Sequence, residues 1–201
     1  MAFCEQNTPN LRDVLTDVRG QAVVTPLLLA DAYHARVDIP GLIADSGTAA
    51  QTTIRQAGVL GEDDRLVQVL RERLSELGVT RLDGGVGVLV VAVGSSRAEA
   101  NARTEAVAGA LATGARWATA TAFATGPHPS PAAAAESLRA RGARQLVLAP
   151  WFLGPGRITD RLADYARHHD IPMARPLGAH RLVAATVLDR FDRALAARTA
   201  A

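Results

Sequence analysis

Residues 22–33 read AVVTPLLLADAY, and residues 146–157 read LVLAPWFLGPGR. Each is an apolar run that passes through one proline, Pro26 or Pro150, and then gives way to small and polar residues. A second pair of blocks follows in the same order: VLGEDDRLV from Val59 and PLGAHRLV from Pro176, with Leu60 falling on Leu177. Two matched blocks in one order mark an internal duplication. The first unit is read as residues 1–79 and the second as 84–201, with the glycine-rich TRLDGGVG (Thr80–Gly87) at the junction.

Outward from these blocks the chain alternates short apolar runs with amphipathic stretches. Gln21–Leu29, Val86–Ala92, Trp117–Phe123 and Gln145–Leu153 are short, rich in β-branched residues in places and bounded by turn formers, so they predict buried strands. Arg65–Leu77, Arg97–Leu111, Pro131–Arg141, Ile158–His168 and His180–Ala197 predict helices. This order gives an α/β fold of two tandem units, each a parallel sheet flanked by helices. Ligands of such sheets bind beyond the carboxyl ends of the strands.

The two units are unequal. Before Phe123 the second has a strand and helix, VGVLVVAVGSSRAEANARTEAVAGAL, whereas counting back from Pro26 the first reaches Phe3 and then Met1. The first unit therefore lacks an opening strand and helix, by truncation, by a misassigned start codon or as a real variant. Its sheet should expose apolar edges, leaving it the less stable unit or one completed by a partner chain.

Composition narrows the function classes. With 201 residues, 48% hydrophobic, the chain can bury a sizeable core, and nothing in it predicts disorder. No apolar run reaches the roughly 20 residues of a membrane span, and MAFCEQNTPN lacks the pattern of a signal peptide, so the expected compartment is the cytoplasm. Cys4 is the single cysteine, which excludes an internal disulfide. The pI near 9.3 comes from a formal charge of only +2 in a lysine-free chain. The arginines are scattered and aromatics are few, so no nucleic-acid surface is expected.

With the blocks in view, the chain resembles the class II chelatases, the sirohydrochlorin and cobalt chelatases that insert a divalent metal into a tetrapyrrole without ATP. The matching residues are FCEQNTPNLRDVL (Phe3–Leu15), VVTPLLLADAYHARVDIP (Val23–Pro40) and LGEDDRLV in the first unit. In the second they are VLVVAVGSSRAEANA, GARQLVLAPWFLGPGRITDRL and PLGAHRLV. The family's usual glycine two residues before the histidine is Ala32 here. The resemblance implies a substrate metal, Co²⁺, Fe²⁺ or Ni²⁺, held by Glu5 and His34, which are also the catalytic residues it implies. The family's first histidine, on a strand ending His-Gly-Ser, has no counterpart in the first unit. In the second unit the three places hold Val93, Thr125 and Ile158, which implies a half that keeps the fold without the site.

The chemistry suits these residue types. Metal insertion removes two pyrrole protons and holds a partly dehydrated ion beside the macrocycle without trapping it. A neutral imidazole binds borderline metals and titrates near neutrality, and a neighbouring carboxylate raises its basicity or takes a proton. Two ligands release a metal more readily than three, so the missing histidine weakens metal capture.

A strand delivering its chain to the carboxyl edge lets Tyr33 and His34 face a ligand, while Arg36 meets water or a substrate carboxylate and Pro40 fixes the turn into the next helix. Gly94–Ser96, GSS between a strand and a helix, resembles an anion-binding turn. It lacks the phosphate-loop lysine and the three-glycine fingerprint, so no nucleotide is expected. Tyr33, Arg36, Gly94 and Ser95 are therefore the substrate-binding candidates, with Arg157 and Arg161 as further carboxylate partners.

His168 and His169 fit the negative end of a helix, His128 a loop, and His180 a cap or cleft position. Two functions follow: a metal chelatase serving sirohaem or cobalamin synthesis, or a non-catalytic tetrapyrrole- or metal-binding relic. The sequence leaves open whether the chain pairs with itself.

Overall fold

Val86–Ala92 forms a strand buried along its whole length, and two further strands flank it. The computed structural model describes residues 1–4, 7–47 and 52–197. Along the chain the elements are α1 (Leu11–Thr16), β1 (Gln21–Val24), a π-helical turn (His34–Asp38), α2 (Ile39–Ala44), β2 (Thr53–Gln56) and α3 (Asp64–Ser75). Then follow β3 (Val86–Ala92), α4 (Ala98–Ala112), β4 (Ala118–Phe123), α5 (Pro131–Ala140), β5 (Gln145–Pro150), α6 (Arg157–His168) and α7 (Arg181–Ala196). Every strand pair is parallel, so the chain is α/β with two tandem parallel sheets flanked by helices.

Contacts divide the chain into two compact units, Met1–Gly61 with Val187–Ala201, and Glu62–Thr186. In the second unit the sheet order is β4-β3-β5, with Val86 opposite Gln145 and Gly87 opposite Ala118. Side chains alternate along β3. Leu89 and Val91 meet Leu138 of α5 and Leu162 of α6 on one face, while Val88 and Val90 are fully buried on the other. Helix starts follow from local chemistry: Asp63 caps α3 through the Arg65 amide at 3.0 Å, and Ser130 caps α5 through the Ala133 amide at 3.3 Å.

In the first unit, β1 and β2 pair with Gln21 opposite Thr53, and a small core forms around Leu11, Leu15 and Ile39. The strand expected over Gln21–Leu29 stops at Val24, and Leu27 is 49% exposed instead of buried. Its counterpart in the second unit shows why. Trp151, one residue after Pro150, donates its amide to the Val91 carbonyl of β3 at 2.8 Å and is 2% exposed. Among the described residues β1 has β2 on one edge and no strand in the place of β3, so on that edge the run after Pro26 has no strand to pair with, and its backbone bond runs instead from the Leu60 amide to the Leu28 carbonyl at 2.9 Å. Pro26 also supplies no amide to a ladder.

This difference predicts unequal local stability. Amides of β3 and β5 are expected to resist hydrogen exchange about a hundredfold more than those of β1 and β2. Comparable protection in both sheets of a demonstrated monomer would contradict it.

Candidate metal site

The chain leaving β1 runs through residues 25–32 into the wide turn His34–Asp38 and on without a break into α2. Pro40 accounts for the widening: it has no amide, and in α-helical geometry its ring would strike the Arg36 carbonyl. Instead the Ile39 amide reaches back five residues to the His34 carbonyl. The Ala35 carbonyl, five residues before Pro40, accepts a hydrogen bond from the Gln56 side chain of β2 at 2.6 Å. Backbone and side-chain bonds thus hold the turn from both sides.

The turn presents His34 and Asp38 together. His34 Nε2 stands 3.7 Å from Asp38 Oδ2, with the imidazole 58% exposed and the carboxylate 24% exposed. Asp38 also lines a cavity of about 260 Å³ with Cys4, Val37, Gly41, Leu42 and Asp45. His34 sits beside this hollow and does not line it; Asp38 joins the two. The cavity is acidic, with Asp38 and Asp45 on its wall. Asp38 was legible in the sequence only as an acid four residues after a histidine, the spacing that puts two side chains on one helical face.

The other sequence-predicted residues divide as follows. Glu5 lies outside the described residues, one position after Cys4 in the chain. Tyr33, at the head of the turn, is 56% exposed. Arg36 is exposed, its side chain 42% accessible, and its Nη2 lies 2.6 Å from Asp31 Oδ2. Gly94 and Ser95 belong to the second unit, after β3. There the Ser95 amide donates to Asn101 Oδ1 at 2.9 Å, Asn101 Nδ2 returns a bond to the Ser95 carbonyl at 2.7 Å, and Ser95 Oγ accepts from the Arg97 amide at 3.1 Å. The expected anion-binding turn spends these groups on its own closure.

Among the remaining histidines, His180 accepts from the Leu182 amide at 3.2 Å, capping α7, and approaches Glu72 Oε2 at 3.1 Å. His168 Nδ1 lies 2.7 Å from the Asp164 carbonyl at the end of α6. Among the described residues, no three His, Cys, Asp or Glu side chains converge as metal ligands. What the first unit offers is one imidazole and one carboxylate, an arrangement suited to brief coordination of a borderline divalent ion.

The fold is that of the chelatases. SirB from Bacillus subtilis, solved with Fe³⁺, is 19% identical with a TM-score of 0.79, over 99% of this chain and 83% of that one. SirB from Bacillus subtilis subspecies spizizenii, a sirohydrochlorin chelatase in complex with cobalt, is 18% identical with a TM-score of 0.74, over 96% and 79%. CbiX of denitrifying bacteria, described as the terminal enzyme for biosynthesis of siroheme, is 21% identical with a TM-score of 0.66, over 90% and 78%. No curated protein matches the sequence significantly. The CbiX family model matches residues 1–77 and 87–194, and the chain belongs to the CbiX family. No helix among the described residues is long and apolar enough to cross a membrane.

Proposed function

We propose that this chain inserts a divalent metal, Co²⁺, Fe²⁺ or Ni²⁺, into sirohydrochlorin or a related tetrapyrrole without a nucleotide, in the cytoplasm, as a step toward sirohaem or cobalamin. One observation carries the reading: in a chain of the CbiX family, an imidazole and a carboxylate 3.7 Å apart stand beside an acidic cavity of the first unit. His34 receives the metal as a neutral ligand, and Asp38 shares the ion or accepts a pyrrole proton. Glu5 is the proposed further ligand. Exposure of His34 and Tyr33 leaves room for a flat macrocycle to approach, with Tyr33 offering a ring face to it. Engagement of a substrate carboxylate by Arg36 requires exchange of its Asp31 partner. Gly94 and Ser95 are proposed to serve the second unit's backbone in place of substrate binding.

The test is to mix purified protein with metal-free sirohydrochlorin and Co²⁺ under anaerobic conditions and follow the absorption change. A rate well above the uncatalysed one is expected. Tight binding of macrocycle or metal with no rate enhancement would replace this reading with that of a non-catalytic relic.

A further inference from the structure

The second unit has a cavity in the place that corresponds to the acidic hollow of the first, and its charge is reversed. Ala35 and Ile39 of the first unit are 4% and 3% exposed, and Thr159 and Leu162 of the second are 5% and 4% exposed. The repeat sets His34 on Ile158, so Ala35 falls on Thr159. The buried pair is spaced by four residues across the π turn and by three in α6. The wide turn therefore absorbs one extra residue, and beyond it Asp38 falls on Arg161 and Leu42 on Tyr165. Both members of each pair line their unit's cavity.

We propose that this second cavity is a binding site for the carboxylate of a small organic anion. Its volume is about 260 Å³. Arg161 and Tyr165, four residues apart on α6, stand on its wall, and Arg157 lies one turn earlier on the same helical face. The Arg161 guanidinium has no ion-pair partner, and the Tyr165 hydroxyl no hydrogen-bond partner, among the described residues. Burial is the largest influence on Tyr165 and holds its phenol above the usual range, against the lowering effect of Arg139 and with a smaller raising effect from Glu136. It stays a donor at neutral pH.

Ser130 at the N-terminus of α5 borders the same space, where the helix dipole favours an anion. Thr125 adds nothing as a donor, since its hydroxyl is given to the Val93 carbonyl at 2.8 Å. Ala124, Ile158 and Leu162 make the rest of the wall apolar, which suits a carbon-framed acid better than inorganic phosphate. A guanidinium and a phenol spaced along one helix match the two oxygens of a carboxylate. The inference does not depend on metal insertion.

Calorimetric titration of the full chain, free of metal, tests it with two probes: citrate, a free organic acid, and sirohydrochlorin, whose side chains carry carboxylates. Arg161→Glu is expected to weaken binding of the responding probe about tenfold or more, and Tyr165→Phe about threefold. Arg167→Glu, an exposed arginine of the same helix paired with Asp164, should leave binding unchanged. A response to citrate marks a free metabolite as the ligand, and a response to the macrocycle alone marks its side chains; either supports the site if Arg161→Glu removes it. Binding of neither probe, or binding that Arg161→Glu leaves intact, overturns the proposal. A chain that binds citrate through Arg161 and never inserts cobalt keeps this site and loses the function proposed above.

Discussion

Replacing His34 with alanine is expected to lower the rate of cobalt insertion by about a hundredfold or more, toward the uncatalysed rate. The imidazole is the only nitrogen ligand that the first unit's cavity has beside it among the described residues, and its loss leaves the proposed site with carboxylates alone, Asp38 and the proposed ligand Glu5. Carboxylates suit hard cations better than borderline ones, which imidazole binds more firmly. Asp38→Asn should fall between wild type and His34→Ala, by about 10- to 100-fold, because it removes the charge while leaving the shape of the turn. Both side chains are partly exposed, so neither change should alter stability by more than a few tenths of a kcal/mol. Initial rates with Co²⁺ and thermal denaturation of each variant measure the two effects separately. Wild-type turnover in His34→Ala would remove the imidazole from the mechanism.

The largest stability effect is expected at Gly94. Its φ is +96°, in the region that residues with side chains rarely adopt, and a Cβ there would stand 1.8 Å from the Gly126 carbonyl oxygen. The obstacle is backbone, so no rotamer change relieves it. Gly94→Ala must move the chain end of β3 against the loop that follows β4, at a cost of about 4 kcal/mol or more. Urea unfolding followed by far-UV circular dichroism measures the loss. A variant within about 1 kcal/mol of wild type would show that the two loops do not approach so closely. The same result would reopen the sequence reading of Gly94 as part of an anion-binding turn for the substrate.

The strands buried on both faces were legible. Val86–Ala92 was read to the residue, because seven consecutive apolar or small positions between turns leave no other element of that length. The helices of the second unit were read to within one or two residues, as amphipathic stretches between the apolar runs. β2 was missed, since TIRQ carries one large apolar side chain and is held by backbone pairing to β1. The six-residue helices α1 and α2 are too short to show a periodicity.

The proposed repeat boundaries, 1–79 and 84–201, follow likeness between the copies, whereas contacts place α3 with the second unit and the last part of α7 with the first. At the site, His34 was named through the resemblance to the class II chelatases carried by Val23–Pro40. Asp38 and the cavity needed the π turn, whose only local sign is a proline six residues after the histidine.

That proline ties the turn's width to its sequence. Removing one residue from His34–Asp38 would give this segment the spacing of α6, but Pro40 would then sit inside an ordinary helix and break it. The extra residue and Pro40 are therefore coupled: a change to the narrower phase is expected to be tolerated only when both are altered together.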